Sequence, residues 1–438
     1  MPDYQKYESY RDTEIPWLGQ IPSQWKLMLL SQGVTQVKNK NTLLQENNLL
    51  SLSYGRIKRK PIDSSGGLLP ESFDGYNIIE KNDIVLRLTD LQNDHTSLRV
   101  GISPEKGIIT SAYTTMRPRK NTCAKYLFYL LHTFDIRKGF YGMGSGVRQG
   151  LNYDEVKRLQ IPWPTVNEQI QISEYLDREI DKINIIISEA KTSIEEYKAW
   201  KASIIYEAVT KGLEVNVEMK ESGIKWLGTV PQHWSVSRLK TVVTSVDSGV
   251  SVNASQTAAG ENKIGVLKTS SVSKYYFNPK ENKEVNSDEL NRVSCQVKAN
   301  TIIVSRMNTP ELVGACGYVE RDYPLLYLPD RLWQVHFNES VEVKYIYYFL
   351  CSNYIKNYYA SLSSGTSSSM QNISQGQFLN AALLLPKQGE QKEIATFLDK
   401  KCADIEAIIQ EKEDLITDLV SYKNALIFEV VTGKRRVC

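Results

Sequence analysis

Residues 168–210 read "EQIQISEYLDREIDKINIIISEAKTSIEEYKAWKASIIYEAVT", and residues 390–432 read "EQKEIATFLDKKCADIEAIIQEKEDLITDLVSYKNALIFEVVT". They align without a gap at an offset of 222, with about a third of positions identical. Most other positions are conservative, such as Tyr175/Phe397, Trp200/Tyr422 and Tyr206/Phe428. A repeat of this length dictates architecture before any local feature does, because both copies must solve the same packing problem.

Both copies are helical by period. Apolar or small residues fall at Leu176, Ile180, Ile183, Ile187, Ala190, Ile194, Tyr197, Ile204 and Ala208, then at Leu398, Cys402, Ile405, Ile409, Ile416, Leu419, Leu426 and Val430. Steps of four and three alternate, which is a heptad seam. Lys201 and Lys423 interrupt it at the same place in each copy, and Lys412 adds a second break. Proline precedes each copy ("IPWPTVNEQ", "LLLPKQGEQ"), and glycine in "VTKG" and "VTGK" supplies each stop. A helix of about 43 residues is roughly 65 Å long, so its apolar stripe must lie along another long helix. The expected partner is the other copy, with Leu176, Ile183, Ile187 and Ile194 against Leu398, Ile405, Ile409 and Ile416 in an antiparallel coiled coil. The blander alternative is two helices packed separately on their own domains.

A shorter repeat marks where each globular part begins. "WLGQIPSQW" (17–25) returns as "WLGTVPQHW" (226–234). Its tryptophans read as packing residues near the helix ends. At 438 residues the chain exceeds one ordinary core. The order predicted is a domain over 1–165, a spacer helix over 166–212, a domain over 213–388, a spacer helix over 389–434 and a tail over 435–438. The fold class is α+β, with two mixed α/β domains separated by two long antiparallel coiled-coil helices in a pseudo-two-fold repeat. The offset drifts from 209 at the tryptophans to 222 at the helices, so the second domain has gained a net 13 residues. "NDIVLRL" (82–88) echoes "NTIIVSR" (300–306), both buried strands by composition. "GMGSGVRQGLNYDEV" and "SLSSGTSSSMQNISQGQF" read as small-residue loops, and "KYLFYLLHTFDIRKGF" and "VKYIYYFLCSNYIKNYYASL" as one helix each.

The net charge of +3 hides a division. The helices carry −3 (167–212) and −5 (389–433), leaving +11 for everything else. Basic domains on an acidic spacer fit a chain whose domains touch nucleic acid and whose spacer does not. "YGRIKRKP" (54–61) sets four positive charges beside a tyrosine and a turn glycine.

Catalytic patterns are missing. There is no GxxxxGK[ST], no GxSxG and no HExxH, and six scattered cysteines form no CxxC. No catalytic or metal site is expected, and the cysteines read as reduced thiols. Pro329-Asp330 with Glu342–Lys344 mimics a loose nuclease signature that arises readily by chance. The polar N-terminus and the lack of a long apolar run point to a cytoplasmic protein that does not enter a membrane.

Two divergent domains, two long similar helices and WLG-x-[IV]-P-x-x-W at each domain start together resemble the DNA-specificity subunit of Type I restriction–modification enzymes. The resemblance is specific in the Trp-Leu-Gly segments and in "EYLDREI" and "TFLDKKC". It implies that each domain reads one half of a bipartite, asymmetric double-stranded DNA target while the coiled coil sets the spacer. It implies partners too: two adenine-N6 methyltransferase (modification) subunits using S-adenosylmethionine, and motor/nuclease (restriction) subunits using ATP and Mg. This chain itself would bind no cofactor and catalyse nothing. Docking candidates are Ile205, Tyr206, Ile427 and Phe428, which could equally close the ends of the helix pair. Base and phosphate contacts need Arg, Lys, Asn, Gln, Ser or Thr. The first-domain candidates are Tyr54, Arg56, Lys58, Arg59, Arg148, Gln149 and Asn152; the second-domain candidates are Lys268, Arg306, Ser367, Ser369, Gln371 and Asn372. The principal alternative is a two-domain interaction scaffold, spaced by a coiled coil, that binds no DNA.

Overall fold

The computed structural model describes residues 5–62, 72–91, 93, 94, 96, 98–143, 150–224, 227–367 and 370–437. Two compact units divide the chain: unit 1 is built from residues 1–190 and 413–438, and unit 2 from residues 191–412. The repeat segments form single continuous helices, Val166–Lys211 and Gln388–Val431, and each unit contains one stretch of both.

In unit 1, Leu176 and Ile183 are buried with Leu426 and Val430, and Ile187 packs beside them with Leu419. Lys423 Nζ donates to Asn184 Oδ1 at 3.1 Å, and Arg435 lies 5.8 Å from the Tyr175 ring centre. The residue numbers rise on one helix as they fall on the other, so the two stretches run antiparallel. Unit 2 repeats this. Ile194, Leu398 and Ile405 are buried, Lys201 pairs with Glu406, and the Lys412 ammonium lies 5.7 Å from the Tyr197 ring centre. Glu406 and Asn184 are themselves equivalent positions at the 222 offset. The seam lysines thus reach across to matched polar partners. Ile409 and Ile416 are half-buried.

Each globular part has the same central sheet. In unit 1 its strand order is Val34–Gln36, Thr114–Pro118, Ile84–Leu86, Val100–Ile102; in unit 2 it is Val243–Ser248, Leu332–Phe337, Thr301–Ser305, Cys316–Val319. All pairings in both are antiparallel. The two echo segments form the inner strands and are buried on both faces, as their unbroken apolar runs require. Unit 2 adds a second four-stranded sheet in the order Asn282–Glu284, Gly265–Leu267, Tyr323–Tyr327, Gln296–Val297.

The start of each long helix is a repeated polar joint. The Trp25 indole N–H donates to Glu168 Oε1 at 2.9 Å, and that of Trp234 to Glu390 Oε1 at 2.9 Å. Gln169 accepts from the Cys123 amide and donates to the Pro164 carbonyl; Gln391 accepts from the Glu342 amide and donates to the Pro386 carbonyl. Asp177 holds Tyr129 and Lys125; Asp399 holds Tyr348 and Lys344. The glycines that end the helices, Gly212 and Gly433, have φ of +79° and +72°. Gly433 leaves no room for a Cβ against Pro22 and Trp25. Beyond it Lys434 Nζ donates to the carbonyls of Leu18 and Gln20, and the Arg436 amide donates to the Gln5 carbonyl. Trp25 and Trp234 are buried packing residues; Trp17 is half-buried edge-on to Phe134, and Trp226 lies outside the described residues.

Two local expectations change. "VKYIYYFLCSNYIKNYYASL" forms two helices, Val343–Cys351 and Asn353–Leu362, rather than one. The break is Ser352, extended at ψ 146°, whose hydroxyl turns back onto the Phe349 carbonyl. The serine-rich segment forms a hairpin, Ser364–Ser367 with Met370–Asn372, because Met307–Asn308 offers its edge to pair with. Cys123, Cys295, Cys316, Cys351 and Cys402 are free thiols. No helix among the described residues is long and apolar enough to cross a membrane.

Candidate nucleic-acid interface

In unit 1 the basic run folds as a hairpin, Leu50–Ser53 against Arg56–Arg59. Tyr54 and Gly55 make the turn, with φ of +46° and +75°, the paired left-handed geometry of a tight two-residue connection. Tyr54 is 76% exposed. Strand alternation puts Arg56 and Lys58 on one face while Ile57 is buried in a small cluster with Leu50, Leu52 and Val85. Arg59 is spent on an ion pair with Glu105, which raises its own pKa and lowers that of the carboxylate. The hairpin therefore offers an aromatic tip and two cations with no ion-pair partner among the described residues, a fit for a phosphate backbone.

Asn152 has a structural use. Its side-chain oxygen accepts from the amides of Asp154 and Glu155 at 2.8 and 3.2 Å, capping the helix Tyr153–Val156. That carbonyl is committed to the fold and not to a base. Arg148 and Gln149 lie outside the described residues.

The residue that sequence reasoning missed is Arg99, which is fully buried. Its guanidinium donates to the carbonyls of Arg87, Thr89, Asp90 and Asp94 and to the Tyr141 hydroxyl. The loop that follows the inner strand is wrapped around this one side chain. The Arg99 amide donates to Asp135 Oδ2 at 2.6 Å. Burial pushes the Asp135 carboxyl up to about 6, against the pull of that N–H and of the Arg99 charge. The only signal in the sequence is a lone arginine where the polar loop "TDLQNDHTSL" meets the apolar strand that follows.

The strand ends of the two units match in backbone and differ in side chains. The Leu151 amide donates to the Leu88 carbonyl at 2.9 Å, and the Ile373 amide donates to the Arg306 carbonyl at 3.1 Å. Each hydrogen bond ties a later segment, at Leu151 or Ile373, to the end of the inner strand Ile84–Leu86 or Thr301–Ser305. In unit 2 this gathers Arg306, Gln371 and Asn372 in one ribbon, Met307–Asn308 with Met370–Asn372 and Ser364–Ser367. Lys268 lies elsewhere, just after the strand Gly265–Leu267 of the second sheet, beside Glu281 at 3.7 Å. Ser367 belongs to the ribbon by its backbone, and Ser369 lies outside the described residues.

Burial corrects two of the docking candidates, Ile205 and Ile427. Ile205 and Ile427 are 6% and 2% exposed inside the cores of units 2 and 1. Tyr206 is partly buried against the unit 2 core. The Phe428 ring has the Arg137 guanidinium at 4.1 Å and the Lys434 ammonium at 4.8 Å. These residues close the helix ends on the globular parts. Exposed apolar side chains off the seam include Ile185, Ile186, Leu415, Val420 and Tyr422 in unit 1, and Trp200 in unit 2. Trp200 and Tyr422 are equivalent positions of the repeat.

The loose nuclease signature has structural uses. Asp330 accepts from the Ser251 hydroxyl, Glu342 caps the helix Val343–Cys351, and Lys344 pairs with Asp399. Among the described residues no group of three His, Cys, Asp or Glu side chains could hold a metal ion.

Comparison with known proteins agrees with this layout. The chain matches the family described as type I restriction modification DNA specificity domain twice, over residues 22–196 and 231–417. It is 24% identical over 423 residues to the type I restriction enzyme MjaVIII specificity subunit of Methanocaldococcus jannaschii, covering 95% of this chain and 94% of that protein. It is 28% identical over 189 residues to the type I restriction enzyme EcoEI specificity subunit of Escherichia coli, covering 42% of this chain and 32% of that protein. Its fold is similar to a chain in a solved structure concerning complex assembly and conformational transition of the type I R-M system. There the TM-score is 0.67 at 14% identity, over 94% of this chain and 98% of that one.

Proposed function

The chain belongs to the type I restriction modification DNA specificity family, and on that premise we propose that its two units read the two halves of one split, asymmetric DNA sequence. It is a DNA specificity subunit, and the scaffold reading without DNA is not favoured. One observation carries the half-site proposal. The same backbone hydrogen bond ties the loops at Leu88 and at Arg306, while the loops themselves differ in shape and chemistry. A single frame that presents two unlike surfaces suits an asymmetric target, where a symmetric dimer would read a palindrome. The hairpin tip at Tyr54, Arg56 and Lys58 supplies phosphate contacts that fix register.

The two long helices set the length of unread DNA between the half-sites. Two adenine-N6 methyltransferase subunits dock on the helices, using exposed apolar side chains such as Ile185, Ile186 and Tyr422 in unit 1 and Trp200 in unit 2. Those subunits hold S-adenosylmethionine, and motor/nuclease subunits that join them hold ATP and magnesium. This chain contributes no catalytic group and works in the cytoplasm.

Mapping methylated adenines in the organism's DNA by single-molecule sequencing tests the proposal. The expected result is a split motif with a modified adenine on each strand. Exchanging residues 1–165 for the first domain of another family member should alter one half-site only; a change in both defeats modular reading. Inserting a heptad in both helices should lengthen the spacer or abolish activity. An unchanged spacer removes the ruler role.

A further inference from the structure

Arg306 stands at the end of the fully buried strand Thr301–Ser305, where unit 2 begins its loop. Its backbone is held on both sides. Its amide donates to the Arg331 carbonyl, and its carbonyl accepts from the Ile373 amide, each at 3.1 Å. Its guanidinium lies 5.8 Å from the centre of the buried Trp333 ring. Among the described residues no hydrogen bond or ion pair reaches that guanidinium, and its Nε is buried without a partner. In the same ribbon the Asn372 side-chain oxygen is also buried and unpaired. In the ribbon Asn308 stands opposite Gln371, and Arg306 immediately precedes Met307–Asn308.

Other arginines show what this fold does with a guanidinium it keeps for itself. Arg99 spends its nitrogens on backbone carbonyls. Arg59, Arg117 and Arg292 each face a carboxylate. A half-buried arginine with no partner is costly unless something outside the chain completes it. A guanidinium seated on an indole has its plane preset, and its parallel N–H pair matches O6 and N7 of guanine in the major groove. Leu88 holds the corresponding place in unit 1, so unit 1 has no such group there.

We propose that Arg306 reads a guanine in the half-site taken by unit 2, donating two hydrogen bonds to that base. This rests on the DNA-reading function proposed above. The test uses the full chain in its assembled modification complex, with methylation motifs mapped for the wild type, Arg306→Lys and Arg306→Gln. Thermal unfolding checks that each variant folds, and Arg306→Met, which can lie on the same ring, replaces any variant that melts early. Exchange of residues 1–165 identifies which half-site belongs to unit 2. The expected result is that one G·C pair in that half-site is required by the wild type. Discrimination there should fall about tenfold or more in each variant, lysine included, with every other position unchanged. A lysine variant that keeps the discrimination overturns the proposal. So does a uniform loss on all sequences, which marks a phosphate contact, or a unit 2 half-site without a G·C pair. A wild-type complex with no split motif defeats the DNA-reading function itself. An intact split motif that no variant changes defeats Arg306 alone.

Discussion

Replacing Trp25 or Trp234 by phenylalanine removes the same indole N–H from the same joint, at 2.9 Å from Glu168 Oε1 or Glu390 Oε1. Both rings are buried, so the loss of ring volume is common to both and costs on the order of 1–2 kcal/mol. The hydrogen-bond losses differ. Glu168 Oε1 also accepts from the Tyr7 hydroxyl at 2.8 Å, so it keeps a partner when Trp25 is changed. Glu390 Oε1 has only Trp234 among the described residues, since His233 sits on the other oxygen. A hydrogen bond to a charged group contributes about 1.5–3 kcal/mol, and stranding the carboxylate oxygen costs more than sharing it. Trp234→Phe should therefore destabilise its joint by about 1 kcal/mol more than Trp25→Phe does, which is roughly a fivefold ratio of opening constants. Hydrogen–deuterium exchange of peptides spanning the first turns of the two long helices, read in the full chain, measures both openings side by side. Equal losses, or a larger loss in unit 1, would refute the reasoning that a second donor protects Glu168.

Acid should act on unit 1 through two opposed groups. Burial, aided by the Lys423 charge, pulls His132 down to about 4, so its stabilising neutrality is lost as pH falls from 6.5 toward 4, at about 3 kcal/mol in full. Asp135, pushed up to about 6, has the opposite sign: its contribution is present at low pH and is lost as pH rises through 6. In wild type the two slopes largely offset one another between pH 4 and 6. His132→Phe should therefore make urea midpoints of unit 1 rise as pH drops from 6 to 4, and a flat or falling profile contradicts the assignment. Arg99→Met leaves four part-buried carbonyls without their donor and should cost about 3 kcal/mol. In methylation mapping it should scramble the half-site of unit 1 while that of unit 2 stays intact; loss of both would mean global unfolding.

The long helices were legible because a heptad seam, flanking prolines and terminal glycines act locally. The glycines do sit at positive φ where the helices stop. Repetition also exposed "EQ" at each helix start, although nothing local says that Glu168 and Glu390 receive tryptophans or that Gln169 and Gln391 bridge two backbone segments. Arg99 was invisible because its partners are backbone carbonyls, which have no letter in the sequence. Ile205 and Ile427 were misread for a related reason. Near its end each helix buries a second stripe against the globular part, so residues off the seam turn inward. The serine-rich ribbon was hidden because small polar residues become strands only when an edge such as Met307–Asn308 is offered to them. Of Ser364–Ser367 only Thr366 has a strand preference of its own, too little to mark a strand among serines and a glycine.

Unit 2 is one unbroken stretch of chain, while unit 1 needs residues 413–438 to lie beside a body made from residues 1–190. On a ribosome this reverses the usual order of completion. Domains made first ordinarily fold first, but here the globular part translated first lacks its partner helix until translation has passed Val430. Until then Leu176 and Ile183 have no Leu426 or Val430 to cover them. Unit 2 can close as soon as Lys412 has emerged. A stop codon just beyond that point would spare the later-made reader and leave the earlier one open, exposing apolar surface to chaperones and proteases.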